Sequence, residues 1–404
     1  MKYVLMIGDG MGDRPIPELS GQTPLEAAPT PNLDYMAVNG TIGLARTVPE
    51  GMIPGSDVAI MSLMGYNPQG VLTGRGPLEA ASQGLETGPD EFIFRLNLIT
   101  VRHDGGRTII GNHAAGNISN AEAEELLNAL RAELPLDQGQ RIFSGVGYRH
   151  LLTWPSPEAQ HFPSIPPHDY RDQDVTDMID DPAAKPQMDL VRASWAILED
   201  HPVNRKRREA GLDPANSIWP WGQGLSPRIK SYQERWGITG ATVSAVDLIR
   251  GLGVCSGLET VIVPGATGWL DTNYKGKVEA ALKALERLDY VVIHLEAPDE
   301  ASHQGELGAK LKAIADFDNL VVGPMLKALP KFGEFRVLAA CDHYTPLALK
   351  THTADPVPFI IYSEPGGEGV KPSGLTYNEF NAGSTGLLVD PGADLGRLLF
   401  GPEK

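Results

Sequence analysis

Short apolar runs bounded by glycine, aspartate or proline recur at both ends of the chain: Tyr3–Ile7, Thr260–Val263, Tyr290–Leu295, Arg336–Ala340 and Pro358–Tyr362. Runs of this length with turn-forming borders predict buried strands. Between them, apolar positions recur at helical spacing over Val243–Leu252, Lys277–Leu288 and Lys310–Leu329. Strand and helix alternate, which predicts an α/β fold with a doubly wound, mostly parallel sheet. The segment from 88 to 235 has a different texture. Two long polar helices are expected there, Asn120–Leu134 and about Met188–Arg208, separated by the proline-rich TWPSPEAQHFPSIPPHDY and followed by NSIWPWGQG. This segment reads as a second α/β domain inserted into a core made of residues 1–87 and 236–404. The expected cleft where the two meet would suit a small molecule.

Composition narrows the function. The 404 residues are 42% apolar and 21% charged, which excludes a disordered or disulfide-stapled chain. With 51 acidic and 34 basic residues the net charge is −17, which disfavours nucleic acid and anionic membrane as partners. Two cysteines, Cys255 and Cys341, supply neither a disulfide framework nor a zinc site by themselves. The first apolar run is broken by Asp9, and no stretch reaches the roughly 18 apolar residues of a membrane span. The expectation is a cytoplasmic protein acting on a small molecule; the oligomeric state is not legible.

Three predicted strands are followed by aspartates, where open α/β sheets place ligands: Asp9 after YVLMIG, Asp299 after VVIHLEAP and Asp342 after RVLAAC. One such aspartate is usually a helix cap or turn residue. Here each has company. Asp299 and His303 are four apart in PDEASH, so a helix starting near Pro298 projects both from one face. His343 adjoins Asp342, and His352 follows in KTHTADP. Carboxylates mixed with imidazoles suit Zn²⁺, Mn²⁺ or Co²⁺, a carboxylate-dominated set suits Mg²⁺ or Mn²⁺, and this many ligands implies two ions. Ser56, after Pro54-Gly55, opens an apolar helical stretch. It can be a simple N-cap, or a nucleophile if a metal ion lowers its hydroxyl pKa.

With Asp9, Ser56, Asp299, His303, Asp342, His343 and His352 in this order, the sequence resembles the alkaline phosphatase superfamily. More closely, it resembles the cofactor-independent phosphoglycerate mutases of the shorter, archaeal type. The similar blocks run nearly end to end: GDGMGDRPIPELSGQTPLEAAPTPNLD, PEGMIPGSDVAIMSLMGY, TGRGPLEAA, SGVGYRHLL, PGATGWLDTNYKGK, EAPDEASHQGEL and DHYTP with KTHTADPVPF. The resemblance implies two divalent ions, commonly manganese and otherwise magnesium, zinc or cobalt. Asp299, His303 and His352 would bind one; Asp9, Ser56, Asp342 and His343 would bind the other. It implies that Ser56 takes the phosphoryl group of 3-phosphoglycerate and returns it to the other hydroxyl, with no bisphosphoglycerate primer. Cations must then hold the substrate, and Arg149 and His168 from the insertion, with Arg75 and Lys277, are the candidates; each is also readable as a solvated or structural cation.

Three rivals stay open at this level. Chains with WGQG, PGATG and THTADPVPF blocks have also been proposed to be homoserine kinases, although the sequence has no Walker or kinase glycine-rich loop. A phosphatase or sulfatase would share the metal ligands, but PGSDVA lacks the sulfatase CxPxR context. A non-catalytic relic would have lost a ligand. His294 and Glu296 read as strand-face residues with a hydrogen bond in the core, Cys341 as an apolar filler, and Trp219 and Trp221 as packing anchors; His113 is ambiguous.

Overall fold

The computed structural model describes residues 1–363, 367 and 369–404. The chain divides into two compact units, Met1–Leu72 with Arg228–Lys404, and Thr73–Pro227. It enters the second unit at Thr73 rather than at residue 88. Helix Gly76–Ser82 packs on strand Phe92–Asp104, and Gly74 and Gly76 approach the backbones of Gln223 and Ile93 too closely for a side chain.

The first unit holds an eight-stranded sheet. Its order is Leu388–Val389, Thr41–Ala45, Val357–Ser363, Phe335–Ala340, Lys2–Gly8, Tyr290–Leu295, Gly240–Val243 and Glu259–Val261. Every neighbouring pair is parallel except the two made by Val357–Ser363. The predicted doubly wound, mostly parallel sheet is therefore present, and the five predicted strands are among its members. The central strands are buried almost throughout, as parallel strands covered on both faces must be. The helix expected from Val243 begins at Asp247 instead, because Val243 ends a strand paired with Ile293. The long helix expected over Lys310–Leu329 is α over Leu307–Phe317, passes through a π turn at Asp318–Val322, and resumes over Gly323–Ala328. The N–H that Pro324 lacks lies just past that wider turn.

The second unit is built on a five-stranded antiparallel sheet. Phe92–Asp104 pairs with Arg107–Asn112, with Arg149–Trp154 and with Ser217–Gly224, and Arg141–Val146 pairs with Arg149–Trp154. Its own apolar core gathers Phe94, Leu96, Leu126, Leu130, Val191 and Trp219 from the sheet and the helices Asn120–Glu133 and Lys185–Leu198. The helix expected over Met188–Arg208 is broken, and Pro202–Glu209 forms a separate one. His201 is extended, as a residue before proline must be, and its ring caps Val203 N. Among the described residues, no helix is long and apolar enough to cross a membrane.

Candidate metal and phosphoryl-transfer site

Three adjacent parallel strands set out the site. Lys2–Gly8 lies between Phe335–Ala340 and Tyr290–Leu295, with Ile7 opposite both Ala340 and His294. Their carboxyl ends are thus level, and the segments that follow carry Asp9, then Asp342 and His343, and then helix Ala297–Gln304 with Asp299 and His303. Pro298 in the first turn of that helix lacks the N–H a first-turn residue would leave unpaired, and Gly305 ends it with a left-handed backbone. Asp299 and His303 consequently share a face, with His303 Nε2 at 3.1 Å from Asp299 Oδ2.

The seven predicted ligand residues converge. His352 Nε2 lies 3.0 Å from His303 Nε2 and 3.5 Å from Asp299 Oδ1. His343 Nε2 lies 3.1 Å from Asp342 Oδ2, 3.5 Å from Asp9 Oδ1 and 3.2 Å from Ser56 Oγ. Ser56 opens helix Ser56–Leu63, preceded by Gly55 with an extended backbone. Ligand atoms of Asp299, His343 and His352 lie within 4.8 Å of one another, and so do those of Asp9, Asp342 and His343.

These residues fit divalent ions. Asp9 Oδ1 and Asp342 Oδ2 are buried with no hydrogen-bond partner, an expensive state that a cation relieves. His303 Nδ1 lies 3.0 Å from Lys350 O, so in the neutral ring it donates there, leaving a lone pair on the Nε2 that faces His352. Burial first, then the charges of Asp342, Glu296 and Asp299, push the Asp9 carboxyl well above the usual range. Burial would do the same to Asp299, but hydrogen bonds from the His303 ring in its protonated form and from His352 hold it well below that range, and the same contact raises His303 to about 9. The arrangement is an excess of carboxylate awaiting positive charge.

His294 and Glu296 belong to this neighbourhood, which their strand alternation alone did not reveal. Ser244 Oγ accepts from Val246 N, and with the ring hydrogen of His294 directed to the Asp9 carboxylate it gives its own hydrogen to His294 Nδ1 at 3.0 Å. The opposite nitrogen of the fully buried His294 then donates to Asp9 Oδ2 at 2.8 Å. Burial and Lys277 hold His294 down at about 3, so the ring is neutral. Glu296 Oε2, 3.5 Å from His294 Nε2, has no hydrogen-bond partner. Lys277, one of the substrate candidates, is buried on helix Tyr274–Leu285 and donates to His294 O at 3.1 Å. Cys341 is buried and donates to His343 O, a hydrogen-bonding role beyond that of a filler.

The other substrate candidates gather in the second unit. Arg95 is ion-paired to Glu79 at 3.0 Å and its guanidinium lies over Trp221, 4.4 Å from the ring centre. Burial, followed by the charges of Arg75 and Arg149, holds Arg95 below its usual range against the pull of Glu79. His168 packs edge-on against Trp221 at 5.3 Å and against His113 at 6.2 Å between ring centres. Arg149 lies over Tyr148, which also faces His113. Arg95 and His113 thus join the predicted Arg75, Arg149 and His168. Arg95 escaped sequence reading because it sits inside a strand whose apolar neighbours suggest only core. Trp219 is the packing anchor expected, with Nε1 donating to Ile165 O, whereas Trp221 also floors this cationic cluster.

The family model for 2,3-bisphosphoglycerate-independent phosphoglycerate mutase matches residues 37–204. Proteins of that name from Methanosarcina acetivorans and Methanothrix thermoacetophila are 47% and 46% identical to this chain over 395 and 404 residues. The alignments cover 96% and 99% of this chain, and 97% and 99% of those proteins. The solved structure of cofactor-independent phosphoglycerate mutase from Thermoplasma acidophilum matches with a TM-score of 0.64 at 27% identity, covering 99% of each chain. With relatives this similar along its whole length, the chain belongs to the 2,3-bisphosphoglycerate-independent phosphoglycerate mutase family.

Proposed function

We propose that the chain interconverts 3-phosphoglycerate and 2-phosphoglycerate through a phosphoserine at Ser56, without bisphosphoglycerate. The observation that carries this reading is the meeting of Ser56 Oγ with His343 Nε2 at 3.2 Å, beside buried carboxylate oxygens that lack partners. Asp299, His303 and His352 would hold one divalent ion and Asp9, Asp342, His343 and Ser56 the other, with manganese favoured and magnesium, zinc or cobalt as alternatives. When bound, such ions supply charge neutralisation at the phosphoryl oxygens and a lowered pKa at the serine hydroxyl. Ser56 Oγ bonds to phosphorus as the bond to the 3-oxygen of glycerate breaks, and the hydroxyl proton goes to the departing oxygen. In the second half, the 2-hydroxyl of glycerate takes the phosphoryl group and Ser56 regains a proton. Positioning and electrostatics do most of the work in such a transfer.

Glycerate must stay bound between the halves. In this reading Arg149 and His168 hold its carboxylate and Arg75 and Lys277 serve the phosphate, with Arg95 and His113 shaping the cationic cluster. The Thr73–Pro227 unit, expected from the sequence over 88–235, serves in this reading as the substrate-binding lid of a phosphatase-like core. Such a substrate pair puts the enzyme in glycolysis and gluconeogenesis, in the cytoplasm. The names of the relatives favour a mutase over the kinase and hydrolase readings. The purified chain is expected to turn over 3-phosphoglycerate in an enolase-coupled assay with no bisphosphoglycerate added. Ser56→Ala should lose at least about a thousandfold in kcat, as removal of a nucleophile does, while keeping its metal content. Activity only with homoserine and ATP, or full turnover by Ser56→Ala, would overturn the assignment.

A further inference from the structure

Thr345 stands between the two groups of metal-ligating side chains and touches both. It is fully buried, and its Oγ1 lies 2.5 Å from Asp299 Oδ1 and 3.2 Å from His343 Nδ1. A threonine hydroxyl has one hydrogen to give and lone pairs to receive with. An ionised carboxylate only accepts, so at this separation the hydrogen belongs to Asp299. The threonine oxygen is left to accept, and His343 must place its own hydrogen on Nδ1 to meet it. The opposite nitrogen, Nε2, then carries the lone pair, and it is Nε2 that faces Ser56 Oγ, Asp9 Oδ1 and Asp342 Oδ2.

Thr345 is itself held fast. Its N–H donates to Gly12 O at 3.2 Å and its carbonyl accepts from Lys310 Nζ at 3.0 Å. The ammonium of Lys310, buried completely, spends its other hydrogens on Gly12 O at 3.3 Å and Asp13 Oδ2 at 2.8 Å. Asp13 Oδ2 in turn accepts from Leu347 N at 3.1 Å. One lysine thus binds the segment after Asp9 to the segment after His343, with all three of its donors used.

We propose that Thr345, anchored by Lys310, is a positioning residue that fixes the His343 tautomer and ties Asp299 to His343, so that the two ion sites are set as one unit. The partner that holds the far nitrogen of a metal-binding histidine commonly accounts for 10–100-fold in metal affinity. The inference rests on the divalent-ion reading of the site, and wild-type binding tests that separately: a wild-type chain that takes up no ion refutes the metal reading itself.

The test uses the full chain stripped of metal and titrated with Mn²⁺ by calorimetry. Thr345→Val, which removes the hydroxyl and keeps the shape, should weaken Mn²⁺ binding at least about tenfold, and Thr345→Ser, which keeps the hydroxyl, should stay within about threefold of wild type. Wild-type affinity in Thr345→Val, or equal loss in both variants, overturns the proposal. A second measurement needs no variant of Thr345. Imidazole nitrogen NMR of the stripped wild-type protein, with the His343 signals identified by their absence from His343→Gln, should show the hydrogen on Nδ1. A hydrogen on Nε2 overturns the proposal even if Thr345→Val fails to fold.

Discussion

His150 lies on strand Arg149–Trp154 and is only 2% exposed. Its Nδ1 accepts from Gly145 N at 3.1 Å, while its Nε2 is buried without a partner. Burial pushes its pKa down to about 4, so the folded chain keeps it neutral. The unfolded chain takes up a proton below about 6.5, and the folded chain does not until about 4. The stability due to this difference is therefore complete above pH 6.5 and is lost as the pH falls towards 4. Between pH 7 and pH 5 the loss is roughly 2 kcal/mol. His150→Asn keeps an acceptor for Gly145 N and removes the titration. Urea unfolding at the two pH values should show that much less pH dependence in the variant, and an unchanged dependence would mean that His150 is charged in the fold.

At the scale of elements, the decisive piece is the turn that follows strand Lys2–Gly8. Gly10 has a φ of 61°, and a Cβ there would sit 2.6 Å from Asp299 Oδ1, 2.7 Å from Thr345 Oγ1 and 2.8 Å from Asp299 Cα. The last of these is backbone and cannot swing away. Gly51 offers the comparison, with a φ of 83° and nothing within 4 Å of its would-be Cβ. Gly51→Ala should pay only the left-handed backbone cost of about 1–2 kcal/mol and bind Mn²⁺ normally. Gly10→Ala should pay that cost and also lose at least about tenfold in Mn²⁺ affinity, because it displaces Asp299 and Thr345. Equal Mn²⁺ binding by the two variants would contradict this close approach. The same turn explains what was legible in the sequence. Asp9, Asp299 and Asp342 follow strands that are both apolar and adjacent in the sheet, so one rule about strand ends found all three. Thr345 and Lys310 were not legible, because their role depends on carbonyls brought together from residues 12 and 345. Arg95 was hidden for a related reason: antiparallel register, which no local spacing encodes, lays it against Trp221.

For the whole molecule, the leading electrostatic fact is that carboxylates are buried together in a chain of net charge −17. The doubly wound sheet was predictable because buried strands advertise themselves, whereas the second unit was recognised mainly by its change of composition and its antiparallel sheet was not. Folding the first unit brings Asp9, Asp342 and Asp299 out of water, and Glu296 adds to the repulsion on Asp9. Without cations this is a standing cost to the native state, and the unfolded chain does not bear it. Ions that bind only the folded form return stability by mass action, about 2.7 kcal/mol at a free concentration one hundred times the dissociation constant. For a unit of this size that corresponds to a rise in melting temperature of roughly 5–10 °C. The stripped chain should therefore melt lower than the Mn²⁺-loaded chain by about that amount. Sodium chloride of matched ionic strength should not reproduce the rise, because screening acts on exposed charges and reaches buried ones poorly. Ser56→Ala should show the same rise as wild type, since the carboxylates and imidazoles remain. A melting temperature indifferent to Mn²⁺, or one that sodium chloride restores equally well, would show that these buried groups are not organised around divalent ions.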